Sequence, residues 1–379
     1  MQSIHLADNL TRLRHEKKIT QEQLADFLGV TKASVSKWET GQSLPDVLLL
    51  PKLAAYFDST IDELLGYEPQ LSKEQIEKIY MELAEEFAEN EFETVMEKSR
   101  KLVKQYYSCY EFLSQIVCLW VNHYMLPGGT RSISILEEAE KLCDHILLEC
   151  KDIALCSDVV ALKAAVDLQM GKTAEVIEAL EETCNPFRLD SQNIGTLIGA
   201  YLRAGEMEKA DSFTQISMYY YLIALTGCAT QYMTIHKDNL ILCEESLDRI
   251  QKVADAYKLE ELNFNSMVLL YYQMAIIYCQ HGKKAKALEM LKKFIYLTDA
   301  FLQGEENPMH GDAYFDALNA WFEKAPLGGR APRDKKIIYD SMVSVFDTQA
   351  FAVLEEEEEY QKLKIFARKR GGEKCWKKK

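Results

Sequence analysis

Between Thr31 and Gly41 the sequence places hydrogen-bonding side chains on one side of a short predicted helix and apolar side chains on the other. Val35 and Trp38 are three residues apart, so they share a face that we expect to be buried. The opposite face carries ammonium, hydroxyl and methyl groups, which suit the phosphates, base edges and thymine methyl groups of double-stranded DNA. The side chains on that face are Lys32, Ala33, Ser34 and Lys37.

A second predicted helix lies immediately before this face and positions it. Thr20 followed by Gln23 is a capping box, which predicts a helix that begins at Gln21. Gly29 supplies the positive φ that ends this helix, and Thr31 is suited to cap the next one. The spacing predicts two helices joined by a tight turn, which is the shape of a helix-turn-helix.

The predicted DNA contacts divide between phosphates and bases. Gln21 and Thr31 stand at the starts of the two helices, where phosphates are usually held. Lys32 and Ser34 are placed for base edges, and Ala33 is available for a thymine methyl group. For Lys32, contact with phosphate alone is an open alternative. The helix has no arginine for reading guanine, so DNA shape is expected to contribute to specificity.

The stretch from Thr20 to Gly41 reads TQEQLADFLGVTKASVSKWETG. It resembles the signature of the Xre (phage-repressor-like) family, T-Q-x-x-L-A-x-x-L-G-V-[ST]-x-x-x-[IV]-S-x-W-E-x-G. The resemblance implies a five-helix DNA-binding domain, here residues 1–66, and it implies that Arg14 pairs with Glu39 to brace the recognition helix. An ordinary helical hairpin is the alternative, and it would require all the capping, small and apolar positions to coincide.

The fourth helix of this domain is expected at 46–57, but Pro51 lies inside that span. Proline removes a backbone donor and clashes with the preceding turn, so the helix either kinks there or begins near Leu50. Thr60 with Glu63 is a capping box for a fifth helix. Residues 67–72 are predicted to form a linker, after which Ser72 opens a different kind of sequence.

The remainder of the chain predicts helix after helix. With 17 Gly, 8 Pro and no long run of alternating β-branched residues, the composition favours an all-α fold. Gly171 precedes Gly205 by 34 residues, which is the length of one tetratricopeptide repeat. We predict a tetratricopeptide-like solenoid at 73–300, with capping helices and a basic tail at 301–379; a non-repetitive helical bundle is the alternative. The Tyr, Gly, Ala order of the repeat recurs at Tyr201, Gly205, Ala210 and at Tyr278, Gly282, Ala287.

The first helix of each repeat builds the concave wall of such a solenoid. Amide side chains on that wall can donate to and accept from an extended peptide backbone. We therefore predict that a short peptide binds in this groove, with a docked protein partner as the alternative. The residues predicted to line the groove are Gln115, Asn122, Gln169, Gln192, Arg203, Tyr272 and Gln280.

The charge distribution limits how tightly one chain would hold DNA. The net charge of −15 argues against non-specific coating of nucleic acid. Residues 1–66 contain seven Lys/Arg against nine Asp/Glu, which leaves this domain at −2. A few well-placed cations can still hold phosphates, so we expect modest affinity for one chain and a need for a homodimer.

Signals for catalysis, cofactors and membranes are weak. The seven histidines are scattered without a metal-ligand pattern, and Gly171-Lys172-Thr173 lacks the rest of a phosphate loop. We predict no enzymatic activity, no cofactor and no metal. Ten irregularly spaced cysteines without a CxxC pair are expected to be free thiols. Without a signal-peptide core or an uncharged apolar run of membrane-spanning length, the protein is expected to be cytoplasmic with no membrane contact.

The combination of elements resembles bacterial quorum-sensing regulators in which an Xre-type domain precedes tetratricopeptide-like repeats that bind short secreted signalling peptides. This resemblance implies a homodimer on a palindromic operator. It also implies that a peptide in the groove changes the separation or order of the two DNA-binding domains, which is a coupling between two sites. A scaffold or phosphotransfer inhibitor that does not bind DNA is a third hypothesis.

Overall fold

The computed structural model describes residues 5–67, 70–181, 190–304 and 309–370, and in these residues all regular structure is helical. This confirms the predicted all-α class. Five short helices come first, and each contributes a fully buried leucine or valine to one shared core: Leu10, Leu24, Val35, Leu53 and Leu64. The helices are α1 Leu6–Glu16, α2 Gln21–Leu28, α3 Lys32–Glu39, α4 Leu50–Phe57 and α5 Ile61–Leu65.

The starts of these helices follow the local signals in the sequence. Both predicted capping boxes form, at Thr20 before α2 and at Thr60 before α5. The helix α4 begins at Leu50 after a short 3-10 turn at Val47–Leu49, which puts Pro51 in the first turn. A proline in that position is tolerated because its missing donor would have had no partner within the helix.

One apolar side chain of α2 differs from the expectation. The helical spacing of Leu24, Phe27 and Leu28 predicts that all three side chains lie on the inner face of this helix, but Phe27 is 57% exposed. Its ring lies over Tyr56, with ring centroids 4.2 Å apart. The inner face is centred on Leu24, Ala25 and Leu28, which are buried, so Phe27 falls at its edge.

From residue 73 the helices follow in packed consecutive pairs that match the repeat pattern. Gly171, Gly205 and Gly282 lie in the turns within three of these pairs and have φ values of +79°, +75° and +66°, which favour glycine. The long gap between Gly205 and Gly282 holds four helices, Met207–Ile235, Leu240–Ala256, Leu259–Leu262 and Phe264–Gln280. The helices are α6 Lys73–Glu89, α7 Phe92–Gln105, α8 Tyr110–His123, α9 Gly129–Glu149, α10 Ile153–Gln169, α11 Thr173–Leu180, α12 Asp190–Arg203, α13 Met207–Ile235, α14 Leu240–Ala256, α15 Leu259–Leu262, α16 Phe264–Gln280 and α17 Lys284–Gln303.

Three further helices, α18 Leu318–Lys324, α19 Lys335–Ser344 and α20 Glu358–Arg370, belong to the C-terminal segment. This segment does more than close the last repeat. Ile337 packs into the core formed by α6–α10, whereas Met342 packs into the core formed by α14–α17. The hydroxyl of Tyr80 in α6 donates to the carbonyl of Pro332 at 3.1 Å. The C-terminal segment therefore connects the last repeats to the first.

A buried histidine lies where these parts meet. His123, at the end of α8, is 2% exposed and stacks on Phe87 with ring centroids 4.7 Å apart. Its Nδ1 lies 2.7 Å from the carbonyl oxygen of Leu119, and its Nε2 has no hydrogen-bond partner. Burial, partly offset by the Leu119 hydrogen bond and reinforced by the charge of Arg333, lowers the pKa of His123 to about 4.

This histidine should make the fold sensitive to mild acid. The unfolded chain takes up a proton near pH 6.5 and the folded chain only near pH 4, so stability should fall as pH drops through that window. The expected loss is about 3 kcal/mol once His123 is protonated. Urea unfolding measured from pH 7 to pH 4 should show a weaker pH dependence in His123→Phe, and an unchanged one in the exposed control His310→Gln. A profile that His123→Phe leaves unaltered would contradict this account.

Candidate nucleic-acid interface and ligand cavity

The recognition helix α3 presents one face to solvent. Thr31 caps it, since its Oγ1 accepts a hydrogen bond from the backbone nitrogen of Ser34 at 3.1 Å. Val35 and Trp38 are buried in the core of the N-terminal domain, as predicted. The opposite face carries the side chains that we assigned to DNA: Lys32, Ala33 and Lys37 are exposed, and Ser34 is half-buried beside Thr31.

An ion pair between Arg14 and Glu39 supports this helix on the side that faces α1. Glu39, at the end of α3, accepts hydrogen bonds from Arg14 Nε at 2.6 Å and from Arg14 Nη2 at 3.0 Å. The two side chains are only 11% and 5% exposed, for Arg14 and Glu39 respectively. The pairing that the family resemblance implied is therefore confirmed. Arg14 also donates through Nη1 to the carbonyl of Ile19 at 3.0 Å, so α1 and the turn before α2 are held by the same guanidinium.

The same carboxylate holds a third helix. Gln21, at the start of α2, donates from Nε2 to Glu39 Oε2 at 2.8 Å. Burial raises the pKa of Glu39, but the hydrogen bonds from Arg14 and Gln21 and the charge of Arg14 outweigh it, so the pKa lies below its usual range. The stabilisation is therefore present above the ordinary glutamate pKa of about 4.3 and is lost as the pH falls through the lowered value.

Two side chains predicted to contact phosphates therefore also have structural partners. Gln21 is tied to Glu39, and Thr31 caps α3. Sequence reasoning missed the partner of Gln21, because the glutamate lies 18 residues away. Lys32 is within 3.8 Å of Glu22, but both side chains are exposed and such a pair contributes under about 1 kcal/mol. Lys32 is therefore available to a polyanion.

The residues predicted to line the solenoid groove do not all lie around one cavity. Asn122 and Tyr272 both line one cavity, described below. Gln115 is half-buried on α8. Gln169 is exposed and accepts a hydrogen bond from the hydroxyl of Tyr124 at 2.8 Å. The two others described, Arg203 and Gln280, are exposed, and the side chain of Gln192 lies outside the described residues.

The cavity that joins Asn122 to Tyr272 has a volume of about 470 Å³. It lies between α8, α16, α17 and the part of the C-terminal segment that crosses towards α6. This volume is within the range of small-molecule sites and suits a few residues of a peptide. Its wall is mainly apolar, formed by Phe264, Val268, Leu269, Phe294, Ile338, Met342 and Val345; its polar side chains, besides that of Asn122, are those of Asn265, Tyr272, Thr298, Arg333 and Ser341.

The part of the chain that the structure describes shows neither a metal site nor a membrane-spanning helix. There, no group of three or more His, Cys, Asp or Glu side chains is arranged to hold a metal ion. None of the described helices is both long enough and apolar enough to span a bilayer. The eight cysteines in these residues are free thiols.

Comparison with known proteins matches the N-terminal domain. A helix-turn-helix family model matches residues 10–64. The HTH-type transcriptional activator BcrR of Enterococcus faecalis is 38% identical over 79 residues, which are 19% of this chain and 39% of BcrR. AnsR of Bacillus subtilis, an HTH-type transcriptional regulator, is 43% identical over 63 residues, 17% of this chain and 54% of AnsR.

The alignment with a third relative spans almost the whole length of that protein. The SPbeta prophage-derived HTH-type transcriptional regulator YonR of Bacillus subtilis is 33% identical over 107 residues, 22% of this chain and 97% of YonR. The chain therefore belongs to the helix-turn-helix family.

Among solved structures, the apo form of the competence regulator ComR from Streptococcus vestibularis aligns over 86% of this chain and 98% of its own, with 14% identity and a TM-score of 0.25. A TM-score of that size does not establish a common arrangement of helices.

Proposed function

We propose that this protein is a cytoplasmic, DNA-binding transcriptional regulator. The observation that carries the proposal is the recognition helix α3, whose outer face of Lys32, Ala33, Ser34 and Lys37 is open while its inner face is buried and its end is braced by Arg14 and Gln21 through Glu39. A braced helix with an open polar face meets the requirement for major-groove reading, because base contacts need a rigid support.

The DNA-bound form is a homodimer on a palindromic operator. The N-terminal domain carries a net charge of −2, so one copy gains little from phosphate neutralisation. Two copies related by a two-fold axis place their recognition helices about 34 Å apart, one turn of DNA, and read both half-sites. In this proposal residues 1–66 read the DNA, 67–72 link, 73–300 form the repeats and 301–379 close them.

The repeat domain binds a short signalling peptide. The cavity of about 470 Å³ supports this proposal over a docked protein, because it is a concave, mainly apolar space bordered by three helices and the C-terminal segment and is not a flat surface. Asn122 and Tyr272 supply an amide and an aromatic ring to the ligand. Gln115, Gln169, Gln192, Arg203 and Gln280 remain candidates for the parts of a peptide that extend beyond the cavity.

The path of the C-terminal segment suggests how the two sites are coupled. Ala331, Pro332 and Arg333 line the cavity, and the Pro332 carbonyl also accepts a hydrogen bond from Tyr80 in α6. The helix α6 is the first after the linker, and Lys73 at its start donates to the carbonyl of Glu323 at 2.9 Å. A ligand that shifts this segment therefore acts on the helix nearest the DNA-binding domain.

A gel-shift assay on the protein's own promoter region tests both parts of the proposal. Synthetic peptides are taken from short open reading frames that neighbour the gene. The proposal expects a retarded band whose midpoint changes with one of these peptides and with no scrambled version of it. No retarded band would refute the DNA-binding proposal, and a band that ignores every peptide would favour a protein partner.

A further inference from the structure

Arg333 is a charged side chain in the mainly apolar wall of the cavity. It lines the cavity, and among the described lining residues it alone is charged. Its Nε is buried and has no hydrogen-bond partner. No carboxylate of the described residues lies within ion-pair distance of its guanidinium. A buried donor without a partner costs about 1–3 kcal/mol, and more when it is charged, so a specific unsatisfied group of this kind requires a physical explanation.

The surroundings of Arg333 do not neutralise it. The other polar side chains of the wall are amides and hydroxyls, including Asn122, which already donates to the carbonyl of Cys118 at 2.9 Å. The positive charge of Arg333 acts on His123 and Tyr80. It disfavours the protonated form of the His123 imidazole and favours the ionised form of the Tyr80 phenol. The cavity is therefore an apolar space with one uncompensated positive charge at its edge.

We propose that Arg333 pairs with a carboxylate of the bound ligand, and that the ligand is an apolar molecule with a single negative charge. The inference rests on the proposed function, since it concerns the same cavity. A guanidinium holds a carboxylate through two parallel hydrogen bonds, and Phe264, Leu269 and Tyr272 cover the apolar body. A cationic ligand is repelled, and a polyanion leaves charges unpaired against the apolar wall.

This chemistry has two sources, the C-terminal carboxylate of a short apolar peptide and the head group of a medium-chain fatty acid. Titration calorimetry with decanoate and with decan-1-ol isolates the contribution of the charge, because the chains have equal length. We expect decanoate to bind at least about tenfold more tightly, which corresponds to about 1.4 kcal/mol. A peptide that alters the gel shift, compared as free acid and as C-terminal amide, tests the peptide source.

Variants assign the effect to Arg333. Arg333→Gln should remove the preference for decanoate over decan-1-ol, and Arg333→Lys should keep part of it. Lys362→Gln is a matched control, because it removes one positive charge from an exposed side chain of α20. Equal binding of the two probes to the unaltered chain, or a preference that survives in Arg333→Gln, would overturn the proposal. So would no binding of either probe together with equal action of the peptide as free acid and as amide. Operator binding of ligand-free Arg333→Gln, measured in parallel, shows separately whether the DNA-binding proposal holds.

A second, independent observation concerns α13. The twenty residues from Ile216 to Ile235 contain no Asp, Glu, Lys or Arg, although 27% of the chain is charged. Half of this stretch is exposed nevertheless, and Ile235 is 73% exposed. A solvated helix face normally carries charges, so an uncharged and largely apolar one is expected to be covered. The exposed apolar side chains are Tyr220, Tyr221, Leu225, Tyr232 and Ile235.

The spacing of this face suits a partner helix of the same kind. Tyr221, Leu225, Cys228, Tyr232 and Ile235 follow one another at intervals of four, three, four and three residues, which is the seam of paired helices. Ala224 and Gly227 lie at its centre, and, apart from the backbone of α13 itself and the neighbours of Gly227 in the chain, nothing lies within 4 Å of the position that a Cβ on Gly227 would take. Small residues at the centre and bulky ones at both ends make an antiparallel seam complementary to itself.

We infer that a second copy of this chain covers α13, which gives the proposed homodimer its interface. Two chains of net charge −15 repel each other, but a contact through this uncharged face adds no further like charges. The self-complementary seam is therefore what favours a second copy as the partner. Across a two-fold axis near Gly227, Tyr220 and Tyr221 of one helix pack against Tyr232 and Ile235 of the other.

Mass measurement by light scattering tests this interface. The unaltered chain should be a dimer, and Leu225→Lys should shift it to monomer, because each dimer would bury two ammonium groups. Leu148→Lys is the matched control, since Leu148 is 80% exposed on α9. Circular dichroism checks that both variants fold. A monomeric unaltered chain, or a Leu225→Lys variant that stays dimeric, would overturn the inference and leave this face to a different partner.

Discussion

Alanine at both Lys32 and Ser34 should weaken operator binding by about thirty-fold or more and leave the fold intact. Each base contact contributes about 1–3 kcal/mol, so the loss of two costs at least about 2 kcal/mol. The fold should survive because Lys32 is exposed and the cap of α3 uses the backbone nitrogen of Ser34, which alanine retains. Fluorescence anisotropy with a labelled operator measures the change.

Two controls for this variant distinguish the loss of base contacts from the loss of positive charge. Lys101→Ala/Ser108→Ala removes the same two groups from exposed positions outside the DNA-binding domain, and operator affinity should not change. For Lys32→Ala alone, equal weakening on operator and scrambled DNA indicates a phosphate contact, whereas a larger loss on the operator indicates base readout. Full affinity in the double variant would show that the assignment of α3 contacts is wrong.

Replacing Glu39 by alanine should destabilise the N-terminal domain by about 3–5 kcal/mol. The substitution removes one partner of a buried ion pair and leaves the guanidinium of Arg14 uncompensated, which is the costly way to break such a pair. The amide of Gln21 loses its acceptor as well. Because three helices lose a common anchor, α3 should also hold its DNA-reading face less rigidly, and operator affinity should fall with stability.

Native-state hydrogen exchange is the suitable measurement, because it reports the opening of this domain within the whole chain. The faster exchange should be confined to the amides of α1–α5, whose buried side chains share one core. Glu16→Ala is the matched control: Glu16 pairs with Arg12 at 2.9 Å, but both side chains are more than half exposed, so the expected cost is below about 1 kcal/mol. If Glu39→Ala and Glu16→Ala exchange alike, the buried pair does not brace the domain.

The sequence alone was sufficient wherever the deciding interactions span a few residues. The capping boxes at Thr20 and Thr60, the left-handed turn at Gly29 and the buried pair Val35 and Trp38 all depend on groups at most about four positions apart. The glycine turns of the repeats are local in the same way. These signals determined the helix-turn-helix, the all-α class and the outward face of α3.

Interactions between distant segments of the chain could not be predicted from local sequence patterns. Arg14 and Glu39 are 25 residues apart, and their pairing was available only from the family resemblance. Nothing local linked Gln21 to Glu39. The start of α4 at Leu50 was one of two possibilities, and packing of Leu53 and Phe57 into the core is consistent with the one observed.

The ligand cavity was decided by tertiary structure. Its wall depends on a C-terminal segment that returns to α6, where Tyr80 and Pro332 meet across 252 positions of sequence. The repeat pattern predicted an open groove lined by the first helices, and it therefore grouped seven residues. Of the six whose side chains the structure describes, Asn122 and Tyr272 alone line the cavity. Arg333 stood in no motif. Its environment is set by chain segments that converge only after folding, and no periodicity in the sequence encodes that convergence.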